Sequence, residues 1–228
     1  MFSLVLPTYN EAANIERAVE AVCAALAGRE FEIIVADDDS PDHTWEVAEG
    51  LGNPHVRVLR RTENRGLSAA VVEGFEFAGG DLLGVMDADL QHDERILPQM
   101  IDALADNEFV IGSRAAPGGS CGEWSLVRRF ASRIATQTTR MILGVNIRDP
   151  MAGYFALRRD VFERARPRLS PKGWKIMLEI FCLAEPEPFT EIGYVFRTRE
   201  AGRSKLGMKV MGQCLRNLFE LRRKMRES

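Results

Sequence analysis

The chain has 228 residues, enough to bury a substantial core in one large domain, and 46% hydrophobic with 28% charged residues is the composition of an ordinary soluble globular protein. No uncharged run is longer than ten residues, which excludes a bilayer-spanning segment within the sequence, and no secretory leader is apparent. The net charge of −3 conceals an asymmetry: residues 1–117 carry 8 Lys and Arg against 22 Asp and Glu, whereas residues 118–228 carry 22 against 11. The first half therefore suits a cation and a nucleotide and the second an anionic partner, unless the two are simply oppositely solvated faces.

Residues 2–6 are an apolar run that reads as a strand, and Pro7-Thr8-Tyr9-Asn10-Glu11 is the turn after it, with Thr8 and Glu11 at capping-box spacing. The next helix sets Ile15, Ala18, Val19, Val22 and Leu26 on one face. Residues 31–36 form a second strand that ends in the acidic turn Asp37-Asp38-Asp39-Ser40-Pro41-Asp42. That turn opens another helix, which Asp39 and Asp42 are expected to cap. A third strand covers 56–59. Asn64-Arg65-Gly66 starts a helix that turns Leu67, Ala70, Val71, Gly74, Phe75 and Ala78 inward and stops at Gly79-Gly80.

Residues 82–86 read as a short buried strand that delivers Asp87, Asp89 and Gln91 at alternate positions. These are hard oxygen donors, suited to Mg²⁺ or Mn²⁺ rather than zinc, and such a cation usually completes its shell with water and substrate phosphates. An acidic turn that caps the next helix is the competing reading. A helix over 94–105 and a strand over 109–112 follow. Strands alternating with helices predict an α/β fold with a largely parallel sheet, whose ligands bind outside the carboxyl ends of the strands.

The basic half opens on Ala115-Ala116-Pro117-Gly118-Gly119-Ser120, a loop expected to be mobile. Residues 125–143 read as a helix whose stripe of Leu126, Phe130, Ile134, Thr138, Met141 and Ile142 is interrupted by Arg128, Arg129, Arg133 and Arg140. Asp149-Pro150-Met151-Ala152-Gly153 is a turn, mixed structure runs to 199, and the tail from Lys205 reads as an amphipathic helix with a basic end. Arg-flanked apolar stripes can lie in the plane of a membrane interface. Packing into the core is at least as good a reading for 125–143, and the tail, with its charges clustered, is the better membrane candidate. The histidines do not cluster and no His–carboxylate pair is evident. Cys23, Cys121, Cys182 and Cys214 lack CxxC spacing and read as reduced, mostly buried thiols.

Six motifs stand in order: Pro7-Thr8-Tyr9-Asn10-Glu11, the Asp37–Asp42 turn, Met86-Asp87-Ala88-Asp89-Leu90-Gln91-His92, Gly112-Ser113-Arg114, Asp149-Pro150-Met151 and Gly202-Arg203-Ser204-Lys205-Leu206-Gly207. Together they resemble the dolichyl-phosphate (polyprenyl-phosphate) mannosyltransferases, inverting glycosyltransferases of GT-A fold, over essentially the whole chain. The resemblance implies a GT-A α/β catalytic domain over 1–205, with a nucleotide and metal half (1–117) and an acceptor half (118–205). Residues 206–228 would then be an amphipathic basic helix at a membrane surface. The implied reaction moves mannose from GDP-mannose to polyprenyl (dolichyl) phosphate with Mg²⁺ or Mn²⁺.

On that resemblance Asp89 and Gln91, with Asp87 beside them, would hold the cation. Pro7, Tyr9, Glu11, Ala36, Asp38 and Ala88 would line the nucleotide, with Asp37 the competing register for Asp38. Arg114, Arg128, Lys175, Arg199 and Lys205 would hold phosphate, and Asp89, Arg114 and Arg128 are expected to carry catalysis. Arg203, Arg216 and the cluster at 222–226 are expected to face a membrane or solvent. The implied partners are GDP-mannose, the polyprenyl phosphate, a membrane surface and, as an option, a small membrane subunit, with no nucleic acid. Many relatives carry C-terminal transmembrane helices. With none in this sequence, the chain resembles the soluble catalytic type, cytoplasmic and peripheral at the cytoplasmic face of a membrane. His43 stands where the family's turn has Gly, and Asp93 where Pro follows the metal motif, departures that bear on loop shape. A glucosyl or N-acetylhexosaminyl transferase using a UDP-sugar would need nearly the same residues, and a non-catalytic nucleotide-sugar-binding or membrane-adaptor protein is the reading from another class.

Overall fold

The computed structural model describes residues 1–122, 124–170, 175–197 and 208–226, the last of these over 208–215 as backbone alone. Strands β1 (Phe2–Thr8), β2 (Phe31–Asp37) and β3 (Val56–Arg60) alternate with helices α1 (Ile15–Ala25), α2 (Thr44–Gly50) and α3 (Leu67–Phe77). Then come β4 (Leu82–Val85), a 3₁₀ turn (Glu94–Ile96), α4 (Leu97–Ala103), β5 (Phe109–Ser113) and α5 (Leu126–Leu143). The chain continues through β6 (Phe155–Arg158), α6 (Arg159–Ala165), a 3₁₀ turn (Arg166–Arg168), α7 (Ile176–Ala184), β7 (Phe189–Gly193) and α8 (Met208–Arg226). The seven strands form one sheet in the order β3-β2-β1-β4-β6-β5-β7. All pairings are parallel except those of β6, which runs antiparallel to β4 and β5.

Strand periodicity divides the core between the two faces of this sheet. Val5, Ile34 and Ala36 pack with Phe75, Phe155 and Phe162 on one face, while Leu4, Leu6, Ile33 and Val35 pack with Val19 and Val22 on the other. β2 is buried along its whole length, as a strand covered on both faces must be. The predicted face of α1 is buried at all five positions. α3 lies so close to β1 that a Cβ on Gly74 would come within 2.6 Å of Val5 Cγ1. Leu67, expected to point inward, is exposed, because α3 begins there and its first buried residue is Ser68.

Local chemistry revises three other expectations. Thr8 does not cap a helix: it ends β1 with its hydroxyl donating to Asp37 Oδ2 (2.7 Å), and α1 starts only at Ile15. The helix expected over 94–105 begins as a 3₁₀ turn capped by Asp93, which accepts from the Arg95 N–H. The 115–120 loop is tethered, with the Ala115 and Ala116 N–H groups donating to Ser113 Oγ and the Ser120 N–H to the Tyr194 carbonyl. Of the cysteines, Cys182 is buried, its thiol pushed up to about 12 by that burial, and Cys23 and Cys121 are only half-buried.

The two helices read as amphipathic differ in what they bury. α8 buries Leu218 and Leu221, and its basic end is tied down: Arg222 donates to the Ile142 carbonyl (2.6 Å), and Lys224 donates to the Arg168 carbonyl (2.7 Å) and pairs with Glu179 (2.8 Å). α5 buries only Thr139 and Leu143, and its apolar stripe faces outward: Leu126, Val127, Phe130, Ile134 and Met141 are 53–81% exposed. Among the described residues no helix is long and apolar enough to cross a membrane.

Candidate functional site

The chain leaves β1 to one side for β2 and β3, then returns to pair β4 against the other edge of β1. A parallel sheet opens a crevice beyond its carboxyl ends at such a reversal. Tyr9 to Glu11 follow β1, Asp38 follows β2, Met86 to His92 follow β4, and Arg114 follows β5. Because β6 is antiparallel, the 149–154 segment entering it arrives at the same edge. The backbone at these ends is left-handed at Asn10 (φ 62°), Asp39 (53°) and Leu90 (62°). For Leu90 that conformation costs about 1–2 kcal/mol, the kind of strain that collects at ligand sites.

After β2 the three-aspartate run divides into three roles. Asp37 is fully enclosed, accepting from Thr8, the Ser40 hydroxyl (2.6 Å) and the Ser40 N–H (2.8 Å), so it holds the turn together. Asp38 accepts from Arg61 and from the Gly66 N–H (2.7 Å); burial raises its pKa, and the Arg61 charge only partly opposes this. Asp39 pairs with Arg60 (2.6 Å) and Arg65 and is not a helix cap. Nor does Asp42 hold the cap position, which is His43; one residue earlier, it accepts from the Thr44 N–H (3.1 Å) and hydroxyl (2.6 Å) and from the Ala12 N–H (3.1 Å). His43 occupies a left-handed position (φ 61°), a conformation that suits glycine, and nothing in the structure explains the histidine there. Pro7 lies half-buried opposite Ala36, and Tyr9 is exposed. Glu11 accepts from Asn14 Nδ2 (2.7 Å). Ala36 and Ala88 are in the core and offer the crevice only their backbones.

At the centre, β4 ends at Val85, so Asp87, Asp89 and Gln91 are delivered by a turn rather than by strand alternation. The Gln91 N–H donates to Asp89 Oδ1 (3.1 Å), and Gln91 Nε2 donates to the Arg197 carbonyl (3.1 Å), which turns its amide oxygen the other way. Among the described residues no three His, Cys, Asp or Glu side chains form a metal-holding group. Two carboxylates and an amide oxygen are too few for a closed cage, but they fit a hard divalent cation that takes its remaining ligands from water and a diphosphate.

A His–carboxylate pair is present after all. Buried His92 lies with Nε2 3.3 Å from Asp87 Oδ2 and Nδ1 2.7 Å from the Tyr194 hydroxyl, inside an aromatic group of Tyr154, Tyr194 and Phe196. Asp87, His92, Arg114, Gly153, Lys175 and Phe196 line one cleft of about 220 Å³, in which one carboxylate of the set, Asp87, meets two of the expected cations.

Arg114 is not an uncommitted phosphate ligand. Its fork is bidentate to Asp149 (2.7 and 2.8 Å), and its backbone N–H donates to the same carboxylate. Burial alone would lower the Arg114 pKa and raise that of Asp149; their mutual hydrogen bonds and charges outweigh burial and hold both ionised. Arg128 rests over the Trp124 ring (3.8 Å to its centroid), with Arg114 5.2 Å from the same ring. Burial, and then the Arg114 charge, lower the Arg128 pKa. Lys175 precedes α7, with Nζ 3.3 Å from the Met151 carbonyl. Arg199 and Lys205 lie outside the described residues, as do Arg203 and the Gly202–Gly207 motif. Sequence reasoning missed His92, Tyr194, Phe196 and Trp124. His92 stood inside a quoted motif, five residues from Asp87, but its other partner, Tyr194, is 102 residues away and leaves no local signal.

The family model for Glycosyl transferase family 2 matches residues 3–166. The chain is similar to the dolichol-phosphate mannosyltransferase of Pyrococcus furiosus, with 41% identity over 223 residues, 96% of this chain and 63% of that protein. The chain thus spans less than two thirds of the length of the Pyrococcus relative. It is 37% identical to the dolichol-phosphate mannosyltransferase of Saccharomyces cerevisiae, over 96% of this chain and 86% of that one. Among solved structures it matches glucosyl-3-phosphoglycerate synthase from Mycobacterium tuberculosis, in complex with Mn²⁺, UDP and phosphoglyceric acid, with a TM-score of 0.70 and 21% identity over 97% of this chain and 76% of that one. That likeness bears on the fold.

Proposed function

The chain belongs to glycosyl transferase family 2, and from that premise we propose that it transfers mannose from GDP-mannose to the phosphate of a membrane polyprenol, with inversion at the sugar carbon. The observation that carries this reading is the shared cleft, where Asp87 and His92 face Arg114 and Lys175. A donor that needs a cation and an acceptor that is an anion can meet there. An acceptor phosphate oxygen forms the new bond to the sugar carbon while the bond to the diphosphate breaks, its electron pair leaving with GDP.

The acceptor is a phosphate monoester, whose second pKa of roughly 6 leaves it largely ionised near neutrality, so no residue has to remove a proton from it. What the protein supplies is position and charge. Tyr9, Glu11 and Asp38, with the backbones of Pro7, Ala36 and Ala88, line the nucleotide. Asp89 and Gln91, with Asp87, are the residues that would hold Mg²⁺ or Mn²⁺, which when bound stabilises charge on the departing diphosphate. His92, held by Tyr194, fixes the orientation of Asp87. Asp149 holds Arg114 at the cleft as a fixed positive charge, while Arg128 and Lys175, with Arg199 and Lys205, take the phosphate. The outward apolar face of α5 lies against the membrane that carries the acceptor, at its cytoplasmic face, alone or beside a small membrane subunit.

Sugar transfer to a short polyprenyl phosphate in detergent, comparing GDP-mannose with UDP-glucose with and without Mg²⁺ or Mn²⁺, tests this. Mannosyl lipid formed only with metal is the expected result. Glucosyl lipid would overturn the sugar and keep the mechanism, and no product from either donor while GDP still protects the fold would overturn catalysis by the chain alone.

A further inference from the structure

A second cleft, of about 630 Å³, opens between α5 and the segments 114–121 and 148–149, and it shares only Arg114 with the cleft beside Asp87. Arg129, Ser132, Arg133, Thr136 and Gln137 line it from one stripe of α5, and Arg148 lines it from the opposite wall. Its one carboxylate, Asp149, has both oxygens engaged by Arg114. Arg129 donates to the Gly122 carbonyl (2.6 Å). Arg148 uses its backbone N–H on Glu191 Oε1 (2.6 Å). The Arg133 and Arg148 guanidinium groups are in exposed residues and have no hydrogen bond or ion pair among the described residues. Two uncommitted forks beside the Ser120, Ser132 and Thr136 hydroxyls and a carboxamide are the chemistry of a phosphate seat.

The position of this cleft says which phosphate it takes. Its cationic stripe on α5 borders the outward apolar stripe, Arg129 next to Phe130 and Arg133 next to Ile134, with Leu126 and Met141 on the same apolar side. An apolar face laid into a bilayer puts the adjoining stripe at headgroup depth. We propose that this cleft seats the headgroup phosphate of an anionic bilayer lipid, separate from the acceptor phosphate, and so fixes how the catalytic cleft is presented to the membrane. This inference rests on the membrane contact of α5 assigned above.

The test pairs two double variants, Arg133→Gln/Arg148→Gln and, as a control for charge lost elsewhere, Arg216→Gln/Arg226→Gln on α8. Vesicles of phosphatidylcholine with and without phosphatidylglycerol are the probe. Wild type is expected to prefer the anionic vesicles, and the cleft variant to lose roughly 30-fold of that preference at low salt, about fivefold per cation, while the control loses much less. Monomeric short-chain phosphatidylglycerol should protect wild type, but not the cleft variant, against heat. Equal loss in the control would reduce the effect to diffuse attraction and overturn the site. Equal protection by inorganic phosphate would overturn the lipid assignment. A raised acceptor KM for the cleft variant in detergent would return the cleft to the acceptor and overturn its separateness. If wild type ignores both vesicles yet transfers sugar in detergent, the membrane contact fails and the inference with it, while the donor and acceptor reading stands.

Discussion

The two flanks of β4 differ in how many of their arginines are left unpaired. On the proposed nucleotide flank Arg57 pairs with Glu32, Arg60 and Arg65 with Asp39, and Arg61 with both Asp38 and Glu73. On the proposed acceptor flank Arg114 is paired with Asp149 and Arg197 with Asp93 and Glu94, but Arg128 lies on an indole face, and Arg133 and Arg148 have no partner among the described residues. The first flank is finished before any ligand arrives, its charges cross-linking the strand ends into a fixed frame. The second keeps a few cations, and an apolar helix face, for what binds there. A nucleotide presents the same shape every time and rewards a rigid pocket. A lipid presented by a membrane has to be met by a surface.

The largest effect is expected at the seam between the flanks. Asp89→Ala should lower turnover by about 1,000-fold, roughly 4 kcal/mol of transition-state stabilisation, because the cation loses a carboxylate. Steady-state transfer in detergent checks it. Near wild-type turnover would remove Asp89 from the cation and leave the flanks without the feature that joins them.

Next comes stability, where the comparison is sharpest. Arg61→Ala should cost about 3 kcal/mol, since the Arg61 side chain is enclosed and its loss strands Asp38 and Glu73. Arg133→Gln should change stability by less than about 0.5 kcal/mol, having no partner to strand. Urea midpoints at constant slope measure both. Equal costs would mean that Arg133 is engaged in solution and that the flanks are not different in kind.

How much of this the sequence carries follows from the range of the forces involved. The inward register of α1 is legible because Ile15, Ala18, Val19, Val22 and Leu26 repeat at the helical period, and that period and the burial it predicts are both local. The crevice could be placed because α/β folds put ligands at strand ends, and Tyr9, Asp38, Asp87 and Arg114 do collect there. The direction of α5 was not legible. An apolar stripe has the same periodicity whether it faces a core or a bilayer, and only the position of the rest of the chain decides. The same holds for the basic end of α8, whose anchors at Ile142, Arg168 and Glu179 are distant in sequence. Asp39 was misread as a cap because its true partners, Arg60 and Arg65, lie on the next strand and the loop beyond it.

Asp149 gives the acceptor flank one fixed point and a pH signature. Its carboxyl lies below the ordinary range because Arg114 outweighs burial, so its stabilisation is fully present above the unfolded value of about 4 and is lost as pH falls through the lower folded value. Asp149→Asn should therefore cost about 2 kcal/mol at neutral pH and progressively less on acidification. Thermal unfolding across that range checks it, and a pH-independent cost would mean that the charge of Asp149 contributes nothing. Arg128→Ala should follow with about a tenfold rise in acceptor KM, roughly 1.4 kcal/mol, and unchanged protection by GDP. Loss of both in equal measure would move Arg128 out of the acceptor flank.

The smallest effect separates the two amphipathic helices. Phe130 on α5 is 66% exposed and Phe219 on α8 is 60% exposed, so replacing either with serine removes little packing. They differ in surroundings. Phe130 belongs to a continuous outward row with Leu126, Val127 and Ile134, whereas Phe219 projects from a helix whose neighbouring Leu218 and Leu221 are buried. An isolated aromatic on a packed helix inserts poorly, while one within an apolar row loses its share of a joint contact. Phe130→Ser should weaken vesicle association about fivefold, roughly 1 kcal/mol, with no change in melting temperature, and Phe219→Ser by less than twofold. Flotation on phosphatidylcholine vesicles reads both. Equal losses would extend the membrane face across α8 and take from α5 its distinct role, even though the cations of the acceptor flank would remain where they are.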